Sequence, residues 1–152
     1  MAGLIAELLH PHEIDRHLYG ISDVEETWHL PEIPTDPSGW VGAGDNGIQI
    51  EEPSERCRLK FELWDGPPPP PPPGSYDRTW TGRVRIGSGR VFAVSGHGGG
   101  TRHGPEFELG RPGATWNVGV HRKALGHEEF PVELVSFSLL KIRFWPMGDD
   151  ER

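Results

Sequence analysis

The chain has 152 residues, including 21 glycines, 16 prolines, six tryptophans, six phenylalanines and one cysteine, with a net charge of −8. That length suits one domain burying about two-thirds of its unfolded surface, and turn residues together with bulky apolar mass point to many short strands rather than random coil. A lone Cys57 excludes an internal disulfide, the negative field disfavours nucleic acid, and no stretch approaches the eighteen or so apolar residues of a membrane-spanning helix.

Met1 to Leu9 has no basic leader and Glu7 interrupts its apolar run, so a signal peptide is not expected and the default is a soluble cytoplasmic protein. Leu4, Ile5, Leu8 and Leu9 have spacing that fits a helix or an apolar strand; the strand is preferred. His10, His12 and His17 with Glu13 and Asp15 are zinc-ligand types. Their spacing matches neither a helical pair nor a Cys/His finger, so a solvated turn leading into Leu18 and Tyr19 is expected, with no metal and no cofactor.

Residues 31–45 read as a surface loop punctuated by proline and glycine, and Ile48 and Ile50 as a short strand. Arg58 to Trp64 alternates more clearly: Leu59, Phe61 and Leu63 face inward, Arg58, Lys60 and Glu62 outward, and Cys57 is a small core residue. Seven prolines, Pro67 to Pro73, stop that strand and form a polyproline II rod of about 20 Å. A rod of this kind can be a ligand for an aromatic-lined groove. With no basic residue flanking it, the preferred reading is a stiff connector, longer than the fold needs.

Trp80, Val84 and Ile86 share one parity, Gly87-Ser88-Gly89 follows, and Arg90 to Ser95 is again strand-like, so residues 80–95 are expected to form a hairpin. A second hairpin is expected from Phe107–Leu109 and Ala114–His121, joined by Gly110-Arg111-Pro112-Gly113, where Pro112 and Gly113 occupy the corners of a type II turn. Between them, Gly96-His97-Gly98-Gly99-Gly100 resembles an esterase oxyanion loop, but no Gly-x-Ser-x-Gly accompanies it. Arg102 and His103 likewise lack the Lys-Ser/Thr of a phosphate loop, so a loop between hairpins is expected there. His97, His103, His121 and His127 read as surface histidines near strand ends. Leu140, Ile142 and Phe144 mark a last strand that ends at Pro146, before a polar tail.

The sum is an all-β chain: one domain, residues 1–152, folded as an antiparallel two-sheet β-sandwich of eight or nine short strands with a polyproline loop at 67–73. Charge is uneven along it. Residues 1–55 hold twelve carboxylates and one arginine, −11, whereas residues 56–152 hold eleven carboxylates and fourteen bases, +3. Asp23, Glu25, Glu26, Glu32, Asp36 and Asp45 are therefore the candidate partner-binding residues, forming an acidic face.

The order of Leu59–Trp64, Asp65-Gly66-Pro67, Trp80-Thr81-Gly82-Arg83-Val84, Ser88-Gly89-Arg90-Val91, Leu109 to Val118 and Phe144-Trp145-Pro146 resembles small bacterial proteins similar to competence protein J. The resemblance spans about residues 45–146 and lies in turn and core positions. It implies a β-sandwich inhibitor of a DNA-entry nuclease and no catalytic residue. The function expected is thus non-enzymatic: a nuclease-inhibitor or immunity-like module presenting its acidic face to a basic nuclease or toxin, with no nucleic-acid or membrane partner. The alternative is a small-molecule or carbohydrate-binding sandwich using Trp28, Trp40 or Trp64 as stacking platforms.

Overall fold

A computed structural model describes residues 2–11, 14, 18–26, 33–35, 37, 39–51, 56–97, 100–125 and 137–148. Among these there is no helix, and eleven strands appear rather than eight or nine: β1 (Leu4–Leu9), β2 (Leu18–Asp23), β3 (Val41–Gly44), β4 (Gly47–Ile50), β5 (Arg56–Trp64), β6 (Arg78–Arg85), β7 (Arg90–His97), β8 (Gly100–His103), β9 (Phe107–Glu108), β10 (Thr115–Leu125) and β11 (Phe137–Pro146). The extra strands come from segments read as loops. Val41 is fully buried and opens β3, and Gly100–His103 pairs antiparallel with β7 as β8.

The first sheet has the order β1-β5-β11-β10-β6, the second β3-β4-β2-β7-β8, with β8 and β9 taking successive parts of one edge of β7. Pairing is antiparallel except between β11 and β5, which run parallel. The inward residues are those the alternation marks. Leu59, Phe61 and Leu63 of β5, Trp116, Val118 and Val120 of β10, and Leu140, Ile142 and Phe144 of β11 meet Ile21, Ile48, Ile50, Val84 and Val91 in one apolar cluster, with Cys57 among them. Phe61 stacks on Phe107 from the opposite sheet at 5.2 Å. Gly20 lets β2 kink against β4: its φ is +146°, and a Cβ there would stand 2.0 Å from the Ile48 carbonyl oxygen.

Neither expected hairpin forms. β6 pairs with β10 in the first sheet while β7 pairs with β2, β8 and β9 in the second, so Gly87–Gly89 carries the chain between sheets. The Phe107–His121 unit does the same, since β9 joins β7 and β10 joins β6 and β11. Its turn is nevertheless the expected type II: Ala114 N–H donates to the Arg111 carbonyl at 3.1 Å and Gly113 has φ +81°.

The proline run uses its length. β6 runs in the same direction as β5, three strand positions away, and Gly82 lies level with Leu63 through Val118 and Phe144. From Trp64 to Arg78, which lies level with Leu59, the chain must therefore return five residues along and three strands across, a diagonal of about 22 Å at ordinary sheet spacings, which seven polyproline II residues span. Residues 65–77 form a strap across the outer face. Asp65 and Gly3 hold its start by reciprocal bonds of 2.7 and 3.0 Å, and Asp77 holds its end, donating to the Arg122 carbonyl and accepting from Ala124 N–H. Midway, Arg143 Nη2 donates to the Pro69 carbonyl at 2.8 Å.

Beneath the strap the outward face of the sheet is not wet. Glu62, expected outside, is 5% exposed, and Arg143 is equally covered. Glu62 accepts from Trp64 Nε1 at 2.9 Å and faces Lys60, Lys141 and Arg143 at 3.2, 3.6 and 3.5 Å. Burial opposes its charged form, but these donors and cations outweigh it and hold its pKa below the ordinary carboxylate value. His121, expected at the surface, is 4% exposed, with Tyr76 against its ring at 5.1 Å and Thr79 Oγ1 3.2 Å from Nδ1.

Burial first, then Arg143 and Lys141, push the His121 pKa from 6.5 down to about 4 against the pull of Glu62. Below pH 6.5 the unfolded chain takes up a proton at this site that the folded chain refuses until about pH 4. The stability is thus complete above pH 6.5 and is lost as pH falls toward 4, by about 3 kcal/mol in all. Thermal unfolding of the wild type should fall in midpoint between pH 7 and pH 5, and His121→Asn should flatten that slope. An unchanged slope in the variant would place the titration elsewhere.

Candidate functional site

At the end of the sandwich where β2 stops, β3 turns into β4 and β6 crosses to β7, the loops converge because Ser22 pairs with Gly47 and Asp45 bridges to Arg85. Backbone amides in these sheet-crossing turns have no ladder partners, and two short polar side chains supply acceptors. Asp23 takes the Glu25 N–H on Oδ1 and the Ser88 N–H on Oδ2, both at 2.7 Å. Asn46, in the left-handed region with φ +67°, takes the Gly87 N–H on Oδ1 at 2.8 Å. Its backbone is shared too: Asp23 N donates to the Asn46 carbonyl at 2.9 Å and Asn46 N to the Arg85 carbonyl at 2.7 Å.

Around this node stands a rim of exposed carboxylates. Glu25 and Asp45 come from the acidic half of the chain; Glu106 and Glu108 come from the other half and sequence reasoning missed them. Arg90 joins the two sets, 2.6 Å from Glu106 and 3.6 Å from Glu25. Arg85, also exposed, brings its guanidinium beside Gly87 and Gly113, so the rim sets four carboxylates around two arginines. The missed signal was the alternation Glu106-Phe107-Glu108, a short strand with carboxylates outward and Phe107 buried.

Beside the rim a cleft of about 320 Å³ is lined by Arg111, Ala114, Thr115, Trp116, Pro146 and Met147. Trp116 is 3% exposed, its Nε1 has no hydrogen-bond partner among the described residues, and the Arg111 guanidinium lies 6.0 Å from its ring centre. Arg111 itself stands in the left-handed region, with φ +48°.

Of the six acidic residues singled out from the sequence, Asp23, Glu25, Glu26 and Asp45 are brought to this end, while Glu32 and Asp36 lie outside the described residues. Asp23 is 0% exposed and spent on backbone amides, so it shapes the site without facing a partner. Glu26 is half-buried, with its N–H on the Asp23 carbonyl at 3.3 Å. The tryptophan platforms fare differently. Trp40 is 4% exposed and part of the core, Trp64 lies under Arg143 at 5.3 Å, and Trp28 is outside the described residues. His10 is buried, His103 stacks on Phe92 at 4.5 Å, and His12, His17, Gly98, Gly99 and His127 are outside the described residues. Among the described residues no group of three or more His, Cys, Asp or Glu is placed to hold a metal.

These features define a two-sheet β-sandwich with its crossing loops gathered at one end under a rim of carboxylates. The fold is that of ComJ, described as an inhibitor of the DNA-degrading activity of NucA, from Bacillus subtilis. The crystal structure of that protein matches with a TM-score of 0.58 over 97% of this chain and 99% of that chain, at 14% identity. No protein-family model matches the chain, and neither does any curated protein sequence.

Replacing Asp23 by Ala takes the acceptor from two part-buried amides, at about 1–3 kcal/mol each. The D23A variant should lose about 3 kcal/mol in urea unfolding, whereas Glu25→Gln, on the exposed rim, should change stability by less than about 1 kcal/mol. Equal losses in the two would remove the distinction between scaffold and rim.

Proposed function

We propose that this chain is a non-enzymatic, cytoplasmic protein-binding module of the nuclease-inhibitor or immunity type, and that its carboxylate rim engages a basic partner. The observation that carries the reading is the convergence of Glu25, Asp45, Glu106 and Glu108 at one loop end of a ComJ-like sandwich. A nuclease must bring cations to the phosphates it binds. A rigid surface carrying carboxylates competes for those cations and excludes DNA, without chemistry of its own. Its field speeds encounter, and the apolar cleft beside the rim offers a seat for one anchoring side chain of the partner. The same negative rim repels nucleic acid, so the module acts on the enzyme and not on its substrate.

The test is capture on the immobilised chain, followed by a DNA-degradation assay. A basic nuclease retained at low salt and released at high salt, whose activity falls as the chain is added, is the expected result. Reversing Glu25, Asp45, Glu106 and Glu108 to Lys should weaken association more than tenfold, chiefly through a slower on-rate, while the melting temperature holds. Retention indifferent to both salt and charge reversal would refute the reading.

A further inference from the structure

The strap is longer in proline than a crossover requires in chemistry, since any extended polar segment of equal length would reach β6. What the proline run adds is shape. All peptide bonds in it are trans and φ is fixed by the ring, which makes a polyproline II helix of three residues per turn. The burial pattern has that period: Pro68 and Pro71 are half-buried against the sheet, whereas Pro67, Pro69, Pro70, Pro72 and Pro73 are exposed. One ridge of the rod is packed and two face outward.

The rod is also held still. Asp65 with Gly3, Arg143 with the Pro69 carbonyl, and Asp77 with Arg122 fix it at three points along its length, and Ser75 turns the chain after it by bonding to the Pro72 carbonyl. Two middle carbonyls, those of Pro70 and Pro71, accept no hydrogen bond from the described residues. Two apolar ridges with intervening free acceptors are what an aromatic groove reads: rings pack between ridges, and indole or phenol donors meet carbonyls.

We propose that the outer two ridges of Pro67–Pro73 form a second docking surface, independent of the carboxylate rim, for a protein with an aromatic-lined polyproline groove. With no Arg or Lys beside the run, the groove it fits is one that reads the rod itself rather than a flanking cation. Because the fold already holds the rod extended, binding loses little conformational freedom.

The experiment titrates the full chain, and a free peptide of residues 65–77, into purified profilin, a polyproline-binding protein, following the tryptophan fluorescence of its groove. The folded chain should bind at least as tightly as the peptide. Replacing Pro70, Pro72 and Pro73 together by Ala should weaken binding more than tenfold and leave the melting temperature in place. Replacing Pro68 and Pro71 by Ala should instead lower the melting temperature, with binding reduced less than threefold. Peptide binding without binding of the folded chain would show the rod to be occluded and overturn the proposal. So would silence of both, or equal binding by the Pro70, Pro72 and Pro73 variant.

Discussion

Consecutive strands in this chain repeatedly enter opposite sheets, and that topological constraint governs the loop end. A hairpin turn is bounded by ladder bonds on both sides; a turn that crosses the roughly 10 Å between sheets is not. At Glu25, Gly87 and Ser88 the part-buried amides have no ladder partner, and the side chains of Asp23 and Asn46 reach across to accept from them. Sharing Asn46 between β2 and β6 then fixes how the two sheets meet along that side. The geometry of the rim follows, since Glu25 leaves from one end of the node and Asp45 from the other.

Alternation made the interior legible. Leu59-Phe61-Leu63, Trp116-Val118-Val120 and Leu140-Ile142-Phe144 declare their buried face by period two alone, and Pro112-Gly113 declares its turn by backbone restriction alone. Pairing was not legible in the same way. Gly87-Ser88-Gly89 says only that the chain reverses over a short distance, which a hairpin and a sheet-crossing arch both satisfy. The partners are decided by edges: β6 finds β10 and β7 finds β2, each far away in sequence. The parallel join of β11 to β5 connects residues about eighty apart, and no local pattern could announce it.

Charge was legible as a total and not as a surface. Of the carboxylates in the acidic half, Glu7 is neutralised by Lys60 at 2.9 Å, Asp23 is buried in hydrogen bonds, and Glu25 shares Arg90 with Glu106. Among the described residues, then, the carboxylates of the acidic half do not all serve one surface. The rim that results is smaller and mixed, drawing Glu106 and Glu108 from the half whose sum is positive.

The strap explains why the outer face of the first sheet contributes nothing to that surface. Crossing from β5 to β6 over β11 and β10 covers the row where an ordinary sandwich would be solvated, and the polar residues there turn to one another: Glu62 to its three cations, His121 to Thr79 and Tyr76. One buried carboxylate holds three cations together, and removing Glu62 would leave them facing one another uncompensated. The covered face is thus held shut by its own charges while the proline backbone lies outside them. Surface lost by the sheet is regained by the strap as the exposed apolar ridges of its prolines.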